Sequence, residues 1–314
     1  MASISRKVLL SGSTGLIGST LVRALAAKRI QTVQLLRTKN EGESHRPQDG
    51  PSRTGQVPWN PQAAHPATGL ETLEDADAAI HLSGSNLAAH RWTGSYKREI
   101  MQSRVQSTEA LVRVFRDLKQ PPKLLLCASA TGIYGDRGDE LLTEASPLGH
   151  GFLSETCVAW EAAADTAKSL GIRVTHLRFG VVLSGKGGAL KQMLPIFRLG
   201  VGGRLGSGRQ WMSWIALPDV AQAVLHLLDA PAMEGSVNFV APHPVTNAEF
   251  TRALGGAVHR PTLFPAPAFA LRLAFGEMAD DALLSSTRAV PQRLLNAGFQ
   301  FQYPGIGAAL RAVL

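Results

Sequence analysis

The sequence is poor in cysteine, since only Cys127 and Cys157 occur among its 314 residues. Two cysteines do not indicate a disulfide framework or a metal site, and we predict no bound metal. No apolar run approaches the roughly 18 residues of a membrane-spanning helix, so we expect no membrane partner. Residues 1–7 contain no apolar signal region, which favours a cytoplasmic protein.

Charged residues are also few, at 18% of the chain, yet Lys and Arg outnumber Asp and Glu by 32 to 24 and give a net charge of +8. Two interpretations of this excess stay open: a basic surface that aids solubility, or a field that attracts an anionic ligand. The chain has neither an aromatic-interleaved basic patch nor a zinc or RNA-binding motif. Nucleic acid is therefore not an expected partner.

Segments with strand and helix character alternate along the chain, which is typical of an α/β protein with a parallel sheet and crossover helices. The predicted strands are 7–11, 32–36, 78–82, 123–128, 173–178 and 236–240. The predicted helices are 16–28, 97–119, 154–169 and 218–228. Residues 40–68 are predicted to form a long loop with one short strand around Val57, and residues 179–188 a second loop.

A glycine-rich loop joins the first predicted strand to the first predicted helix, with the sequence SGSTGLIG at residues 11–18. Gly12 suits a tight turn that needs a positive φ, Gly15 lets the backbone approach a pyrophosphate, and Gly18 allows the helix to pack on the strand. The helix then offers free N–H groups and its positive dipole end to phosphates. The alternative is a glycine-rich turn without a ligand. The predicted dinucleotide-binding residues are Gly12, Ser13, Thr14, Gly15, Leu16, Ile17 and Gly18.

These features predict the fold class α/β, as a Rossmann-type doubly wound parallel sheet with a smaller C-terminal subdomain. Residues 1–254 form the predicted dinucleotide-binding domain, in which segments at 181–217 face the substrate. Prolines cluster after residue 255, and we expect residues 255–314 to form a small C-terminal extension subdomain.

The end of the second predicted strand indicates which dinucleotide is bound. An NAD site carries an acidic residue about twenty positions after the glycine loop, but here the chain reads Leu-Arg-Thr-Lys at 36–39. Arg37 can pair with a 2′-phosphate and Lys39 can add charge, so we predict NADP(H) in preference to NAD(H). The alternative is that Arg37 is a solvated cation at a strand end.

Leu82, Ser83 and Gly84 end a later strand at the edge where the dinucleotide should cross the sheet. A small residue followed by glycine would clear space there for a ribose or the pyrophosphate. An ordinary turn between strand and loop is the alternative interpretation.

The sequence resembles the short-chain dehydrogenase/reductase superfamily, in its extended epimerase/dehydratase branch. The resemblance rests on the glycine loop, the strand end at 82–84, SATGIYG at 129–135 and LRFG at 177–180. An atypical "epimerase family" subgroup with a C-terminal extension is similar over nearly the whole chain. The matching segments are RWT at 91–93, Lys97, SR at 103–104, GSGRQW at 206–211, SW at 213–214, PAPAFALRL at 265–273, GEM at 276–278, Pro291 and GF at 298–299.

The resemblance implies a Tyr-x-x-x-Lys pair that this chain lacks. The tyrosine position falls on Leu153 and the lysine position on Cys157, while Ala130 occupies the usual Ser/Thr position. Leucine transfers no proton and cysteine does not carry the charge of lysine, so the usual proton machinery is absent.

Several residues could take over the missing catalytic role, and we select two of them as candidates. Tyr134 follows the strand 123–128 and is a candidate proton donor and substrate contact, or a packed loop aromatic. Ser129 flanks the Ser/Thr position and is a candidate for both catalysis and cofactor binding.

Arginine beside tryptophan occurs twice, in Arg91-Trp92 and around Arg209 and Trp211. Arginine binds carboxylate or phosphate and tryptophan supplies an apolar wall, so these are candidate substrate-pocket residues. Packing between the two parts of the molecule is the alternative interpretation.

Two functions stay open from the sequence. The first is an NADP(H)-binding oxidoreductase or epimerase of unknown small-molecule substrate, with an unusual proton donor. The second is a non-catalytic NADP(H)-binding sensor or regulatory protein. The resemblance also implies a monomer, or a homodimer that pairs through the two helices at 97–119 and 154–169.

Overall fold

The computed structural model describes residues 6–37, 54–230 and 233–314. The strands in these ranges are β1 (Lys7–Ser11), β2 (Gln31–Arg37), β3 (Thr54–Trp59), β4 (Ala78–His81), β5 (Leu124–Ala130), β6 (Leu141–Leu142), β7 (Arg173–Phe179), β8 (Val181–Leu183), β9 (Trp211–Met212), β10 (Trp214–Ala216), β11 (Gly235–Phe239), β12 (Val245–Thr246) and β13 (Arg288–Ala289). The α-helices are α1 (Leu16–Ala27), α2 (Gly94–Asp117), α3 (Phe152–Asp165), α4 (Gly188–Arg198), α5 (Leu217–Asp229), α6 (Asn247–Ala257), α7 (Ala268–Phe275), α8 (Gln292–Asn296) and α9 (Ile306–Val313).

Seven strands form one parallel sheet in the order β3-β2-β1-β4-β5-β7-β11. The chain winds from β1 to β3 in one direction and from β4 to β11 in the other. The carboxyl ends of β1 and β4 therefore flank the point where the winding reverses, with Ser11 beside His81. A ligand of such a sheet binds at this point. The predicted α/β class and doubly wound parallel sheet are confirmed.

Both faces of the sheet are covered by helices, as a parallel sheet requires. Leu9 of β1 packs with Val33 in an apolar cluster on one face. Val8 packs on the opposite face with Leu21 and Leu25 of α1. The packing of α1 against β1 holds the N-terminus of α1 next to the glycine loop.

The short strand predicted around Val57 is present as β3, which pairs in parallel with β2. The loop predicted at 179–188 is wrong in part, because β8 pairs with β10 and α4 begins at Gly188. A three-residue strand such as β8 depends on a partner some thirty residues further along the chain. Its own sequence therefore gives no strong periodic signal.

The C-terminal segment packs closely on the rest of the chain. Helix α9 buries Ala309 and Leu310 in the apolar cluster that contains Phe250 of α6 and Trp214 of β10. The boundary predicted between residues 254 and 255 lies inside α6. Within the described ranges, no helix is long and apolar enough to cross a membrane.

Candidate functional site

A cleft of about 860 Å³ lies at the carboxyl ends of β1 to β4 and along one side of α2. We call it the carboxyl-edge cleft. It is lined by Gly12, Ser13, Thr14, Gly15, Gln34, Leu35, Leu36, Arg37, Gln56, Trp59, Pro61, Gln62, Leu82, Ser83, Gly84, Ser85, Ser95, Arg98, Glu99, Gln102, Ser103, Gln106 and Ser107. The structure thus brings together the predicted glycine loop, Arg37 and the strand end at 82–84. Lys39 lies outside the described residues.

The glycine loop has the tight geometry that its sequence predicts. Gly12 has a φ of +74°, and a Cβ atom there would lie 2.9 Å from the carbonyl carbon of Leu82. A Cβ atom on Gly18 would overlap the carbonyl oxygen of Gly12. The loop is closed by the Gly15 N–H, which donates to that carbonyl at 3.1 Å. Larger residues at positions 12 and 18 would therefore move the start of α1 away from β1 and β4.

The residues present fit the phosphates of a dinucleotide. Helix α1 begins without a side-chain cap and without an acidic residue in its first turn, so its positive end faces the cleft uncompensated. Ser13 is 4% exposed, and its hydroxyl is buried with no hydrogen-bond partner among the described residues. A buried hydroxyl without a partner is costly, and a phosphate oxygen would satisfy it.

Arg37 is the last residue of β2, and its exposed side chain lines the cleft beside Trp59 of β3. Arg98 of α2 lines the same cleft. The two cations approach the cleft from different elements. This arrangement suits a dianionic group more than a neutral hydroxyl.

The polar stripe of α2 was missed in the sequence analysis. Seven cleft-lining residues recur once per helical turn, with neighbours in successive turns three or four positions apart, which places them on one helix face: Ser95, Arg98, Glu99, Gln102, Ser103, Gln106 and Ser107. This helix was predicted without a role for its polar residues, although their spacing is visible in the sequence. The Ser85 hydroxyl donates to Glu99 Oε1 at 3.0 Å, so this carboxylate in the cleft is held by a loop residue.

His81 lies directly beneath the cleft and is fully buried. Its Nδ1 lies 2.6 Å from Ser11 Oγ and its Nε2 lies 3.2 Å from Ser107 Oγ. Because the Ser107 hydroxyl donates to the Ser103 carbonyl, its oxygen accepts from Nε2–H, and the neutral imidazole is satisfied on both sides. Burial lowers the pKa of His81 to about 3.

Gly84 serves a different neighbour from the one predicted. The sequence suggested that it clears space for a ribose or the pyrophosphate, but its Cβ position lies 3.3 Å from Arg104 Cγ and Cζ. The guanidinium of Arg104 thus occupies the space that a side chain at position 84 would take. Gly84 and Ser83 still line the cleft on their other side.

Ser129, predicted to serve in catalysis and cofactor binding, is not among the residues that line the carboxyl-edge cleft, and both roles stay predictions. Its hydroxyl donates to Glu161 Oε1 at 2.7 Å, and the residue is 3% exposed. Arg178 donates to both oxygens of the same carboxylate, at 2.8 and 2.9 Å. Burial alone would raise the pKa of Glu161, but the bonds from Arg178 hold it below its ordinary value. Ser129 therefore belongs to a closed ion-pair network between α3 and the sheet.

Tyr134, a predicted proton donor and substrate contact, is fully buried. Its hydroxyl donates to Asn238 Oδ1 at 2.7 Å and accepts from Arg178 Nη1 at 3.0 Å. Burial raises the pKa of Tyr134. This enclosure favours the alternative interpretation of Tyr134 as a packed loop aromatic, and its role as a proton donor stays a prediction.

The resemblance places the missing catalytic pair at Leu153 and Cys157. Leu153 packs against Gly132, and Cys157 is buried with its pKa raised to about 11 by burial. Neither side chain transfers a proton at neutral pH.

The predicted substrate residues lie outside the carboxyl-edge cleft. Trp92 is buried in an apolar cluster with Phe152 and Met278, while the exposed Arg91 donates to the Leu273 carbonyl at 3.2 Å. Both thereby contact the C-terminal segment, as the packing alternative expected.

Trp211 also packs against neighbouring segments. Its Nε1 donates to Asp139 Oδ1 at 2.8 Å, and Arg288 stacks over its ring at 4.2 Å. Arg209 is exposed to solvent.

The sheet order, the glycine loop and the uncapped helix behind it define a Rossmann-type protein with a dinucleotide site at its carboxyl edge. The pattern of the NAD dependent epimerase/dehydratase family matches residues 8–240, and a domain of unknown function, DUF1731, matches residues 266–313. The chain belongs to the NAD dependent epimerase/dehydratase family, which confirms the resemblance drawn from its motifs.

Curated relatives match along the whole chain. An epimerase family protein of Mycobacterium bovis is 43% identical over 303 residues, covering 96% of both chains. The human epimerase family protein SDR39U1 is 34% identical over 311 residues, covering 98% of this chain and 99% of the relative.

Solved structures agree with this placement. The crystal structure of human SDR39U1 (isoform 2) with NADPH matches with a TM-score of 0.83 and 31% identity, covering 98% of each chain. A nucleoside-diphosphate sugar epimerase from Corynebacterium glutamicum matches with a TM-score of 0.75 and 32% identity, covering 99% of this chain and 58% of that one. A UDP-galactose 4-epimerase matches with a TM-score of 0.72 at 15% identity and so shares the fold.

Proposed function

We propose that this protein binds NADP(H) in the carboxyl-edge cleft and acts as an epimerase-family oxidoreductase on a small-molecule substrate. The observation that carries the proposal is the glycine loop with its uncapped helix and the unpartnered Ser13 hydroxyl. The human relative was crystallised with NADPH, which supports the same class of ligand here.

In this proposal the amides at the start of α1 and the Ser13 hydroxyl hold the pyrophosphate. Arg37 and Arg98 face the 2′-phosphate, with Lys39 as a further cation from the chain beyond β2. Two cations at this end favour NADP(H) over NAD(H). NAD(H) is the alternative, because Glu99 lines the same cleft and a carboxylate can accept from a ribose hydroxyl.

A bound nicotinamide dinucleotide supplies or accepts a hydride, while the protein orients the reactants and excludes water. Residues of β4, β5 and α3 orient the reactants and exclude water. These elements carry no Tyr-x-x-x-Lys pair. The proton must then come from the substrate, from water or from a group brought in by substrate binding. We extend the proposal to a cytoplasmic protein that is monomeric or pairs through α2 and α3.

A second function, a non-catalytic NADP(H) sensor, is favoured by one specific observation. The resemblance places Leu153, Cys157 and Ala130 at the three usual catalytic positions, and Tyr134 is fully buried. To separate the two functions, we would follow the absorbance of NADPH while offering carbonyl compounds and nucleotide sugars. Substrate-dependent oxidation supports the oxidoreductase, and tight NADPH binding without turnover across the panel supports the sensor.

The assignment of Arg37 is tested by charge reversal. We expect Arg37→Asp to weaken NADPH binding by about tenfold or more and to leave NADH binding within about twofold, since only NADPH carries the 2′-phosphate. Titration calorimetry on the full chain measures both affinities.

The matched control is Arg113→Asp, which reverses an exposed charge of α2 outside the cleft. It should change neither affinity. Equal weakening of NADPH and NADH by Arg37→Asp would refute the 2′-phosphate assignment.

A further inference from the structure

Arg104 of α2 is a partly buried cation without a carboxylate partner in the described part of the chain. Its Nη1 donates to the Ile100 carbonyl at 2.9 Å and its Nη2 to the Ser85 carbonyl at 3.1 Å. Its guanidinium also lies over the Trp160 ring at 5.3 Å. These partners accept hydrogen bonds or offer a ring face, but none of them carries a negative charge.

Carboxylates on the neighbouring helices are engaged elsewhere. Glu99 accepts from the Ser85 hydroxyl, and Glu161 forms its ion pair with Arg178. Arg104 thus keeps a net positive charge inside the protein, where burial lowers its pKa. In a partly buried site such a charge acts on other charges more strongly than it would in bulk water.

The position of Arg104 in the fold indicates which half of a bound dinucleotide lies near its charge. A dinucleotide at the carboxyl edge runs from β2, where Arg37 lies, over the glycine loop toward β4 and β5. Arg104 lies beyond the end of β4, against Gly84, and reaches α3 at Trp160, one turn after Cys157. It therefore lies on the opposite side of the glycine loop from Arg37.

This is also the side of the missing lysine. The resemblance places the lysine position of the family at Cys157, and the charge of Arg104 opposes the rise in the pKa of the Cys157 thiol that burial causes. The positive charge absent from α3 is thus present on α2.

Resting on the proposed cofactor site, we propose that Arg104 is a positioning residue for the nicotinamide half of the dinucleotide and selects its reduced form. The ring of NADPH is uncharged, whereas the ring of NADP⁺ carries a positive charge. A fixed guanidinium on this side repels the oxidised ring and leaves the reduced one unaffected.

The test compares three ligands on the full chain by titration calorimetry: NADPH, NADP⁺ and 2′,5′-ADP. The last carries the adenosine half with the 2′-phosphate and lacks the nicotinamide. We expect the unmodified protein to bind NADPH about tenfold more tightly than NADP⁺, a size typical of two charges across a partly buried site. Arg104→Gln should bring the two affinities to within about twofold, and Arg104→Lys should keep most of the preference.

Binding of 2′,5′-ADP by Arg104→Gln separates an effect on the nicotinamide half from a general loss of structure. Unchanged 2′,5′-ADP affinity shows that the variant is folded with an intact adenosine side. A merely structural Arg104, which only ties Ser85 to α2, would lower the affinity for all three ligands in parallel, and this outcome overturns the proposal. So does an NADPH-to-NADP⁺ ratio that Arg104→Gln leaves unchanged. If no ligand binds even the unmodified protein, the proposed function itself has failed.

Discussion

At the residue scale, the side chains and turns near the carboxyl edge differ in how far along the chain their partners lie. The conformations of Gly12 and Gly18 are dictated by contacts within a few residues and by the neighbouring strand end. The Tyr134 hydroxyl, in contrast, is bound by Asn238, 104 residues further along the chain. Only the folded sheet brings such partners together, so no local pattern reveals whether a side chain faces the cleft or the core.

His81 makes a prediction about pH at this scale. Its folded pKa of about 3 lies below the ordinary histidine value near 6.5, so the unfolded chain takes up a proton first as the pH falls. The contribution of neutral His81 to stability is complete above about pH 6.5 and is lost progressively toward pH 3. Between pH 7.5 and 5 we expect a loss of about 2 kcal/mol from this residue.

Urea unfolding at the two pH values measures this loss. His81→Asn should show a smaller decrease in the free energy of unfolding between pH 7.5 and 5 than the unmodified protein. His65→Asn, at an exposed histidine, is the matched control. An identical decrease in the His81 variant would contradict the account of a neutral buried imidazole.

At the element scale, the helices and strands of the central sheet were largely predictable, because each carries its own apolar period and its own turn signals. Strand β8 was missed because it is three residues long and depends on pairing with β10. The role of the polar stripe on α2 was missed for a different reason. Its spacing was visible, but polar residues on a helix ordinarily face solvent, and only the adjacent carboxyl edge turns that face into a cleft wall.

Helix α6 offers a prediction about a single element. Thr246 caps it, with its side chain accepting from the Glu249 N–H at 3.3 Å, while Glu249 Oε2 accepts from the Thr246 N–H at 2.7 Å. Thr246→Ala removes one half of this capping box and should lower the free energy of unfolding by about 1 kcal/mol. Thr246→Ser keeps the hydroxyl oxygen and should therefore retain most of the free energy of unfolding that Thr246→Ala loses. Urea unfolding of the two variants measures this difference. Equal stability of the Ala and Ser variants would show that the cap contributes nothing.

At the scale of the whole molecule, the C-terminal segment is joined to the sheet by buried contacts. Asp219 of α5 accepts from the N–H groups of Gln302 and Tyr303 at 2.8 and 3.0 Å. Helix α9 closes the apolar cluster over β8 and β10. The change in composition after residue 255 indicated a distinct segment, but composition does not show which surface a segment covers.

Leu310 tests this packing. It is fully buried, so Leu310→Ala should lower the free energy of unfolding by about 3 kcal/mol through lost burial and a cavity. The adjacent Arg311 is exposed, and Arg311→Ala should change stability by less than about 0.5 kcal/mol. Thermal and urea unfolding of both variants supply the comparison. A neutral Leu310→Ala would mean that α9 does not pack on the cluster in solution.

The central claim is that the amides at the start of α1, together with Ser13 and Arg37, hold the phosphates of NADP(H). Calorimetric titration of NADPH into the full chain tests it most directly. The account predicts one site per chain with an affinity in about the micromolar range or tighter, from which 2′,5′-ADP displaces the dinucleotide. Absence of binding heat at millimolar nucleotide, or binding that 2′,5′-ADP does not compete with, would contradict it.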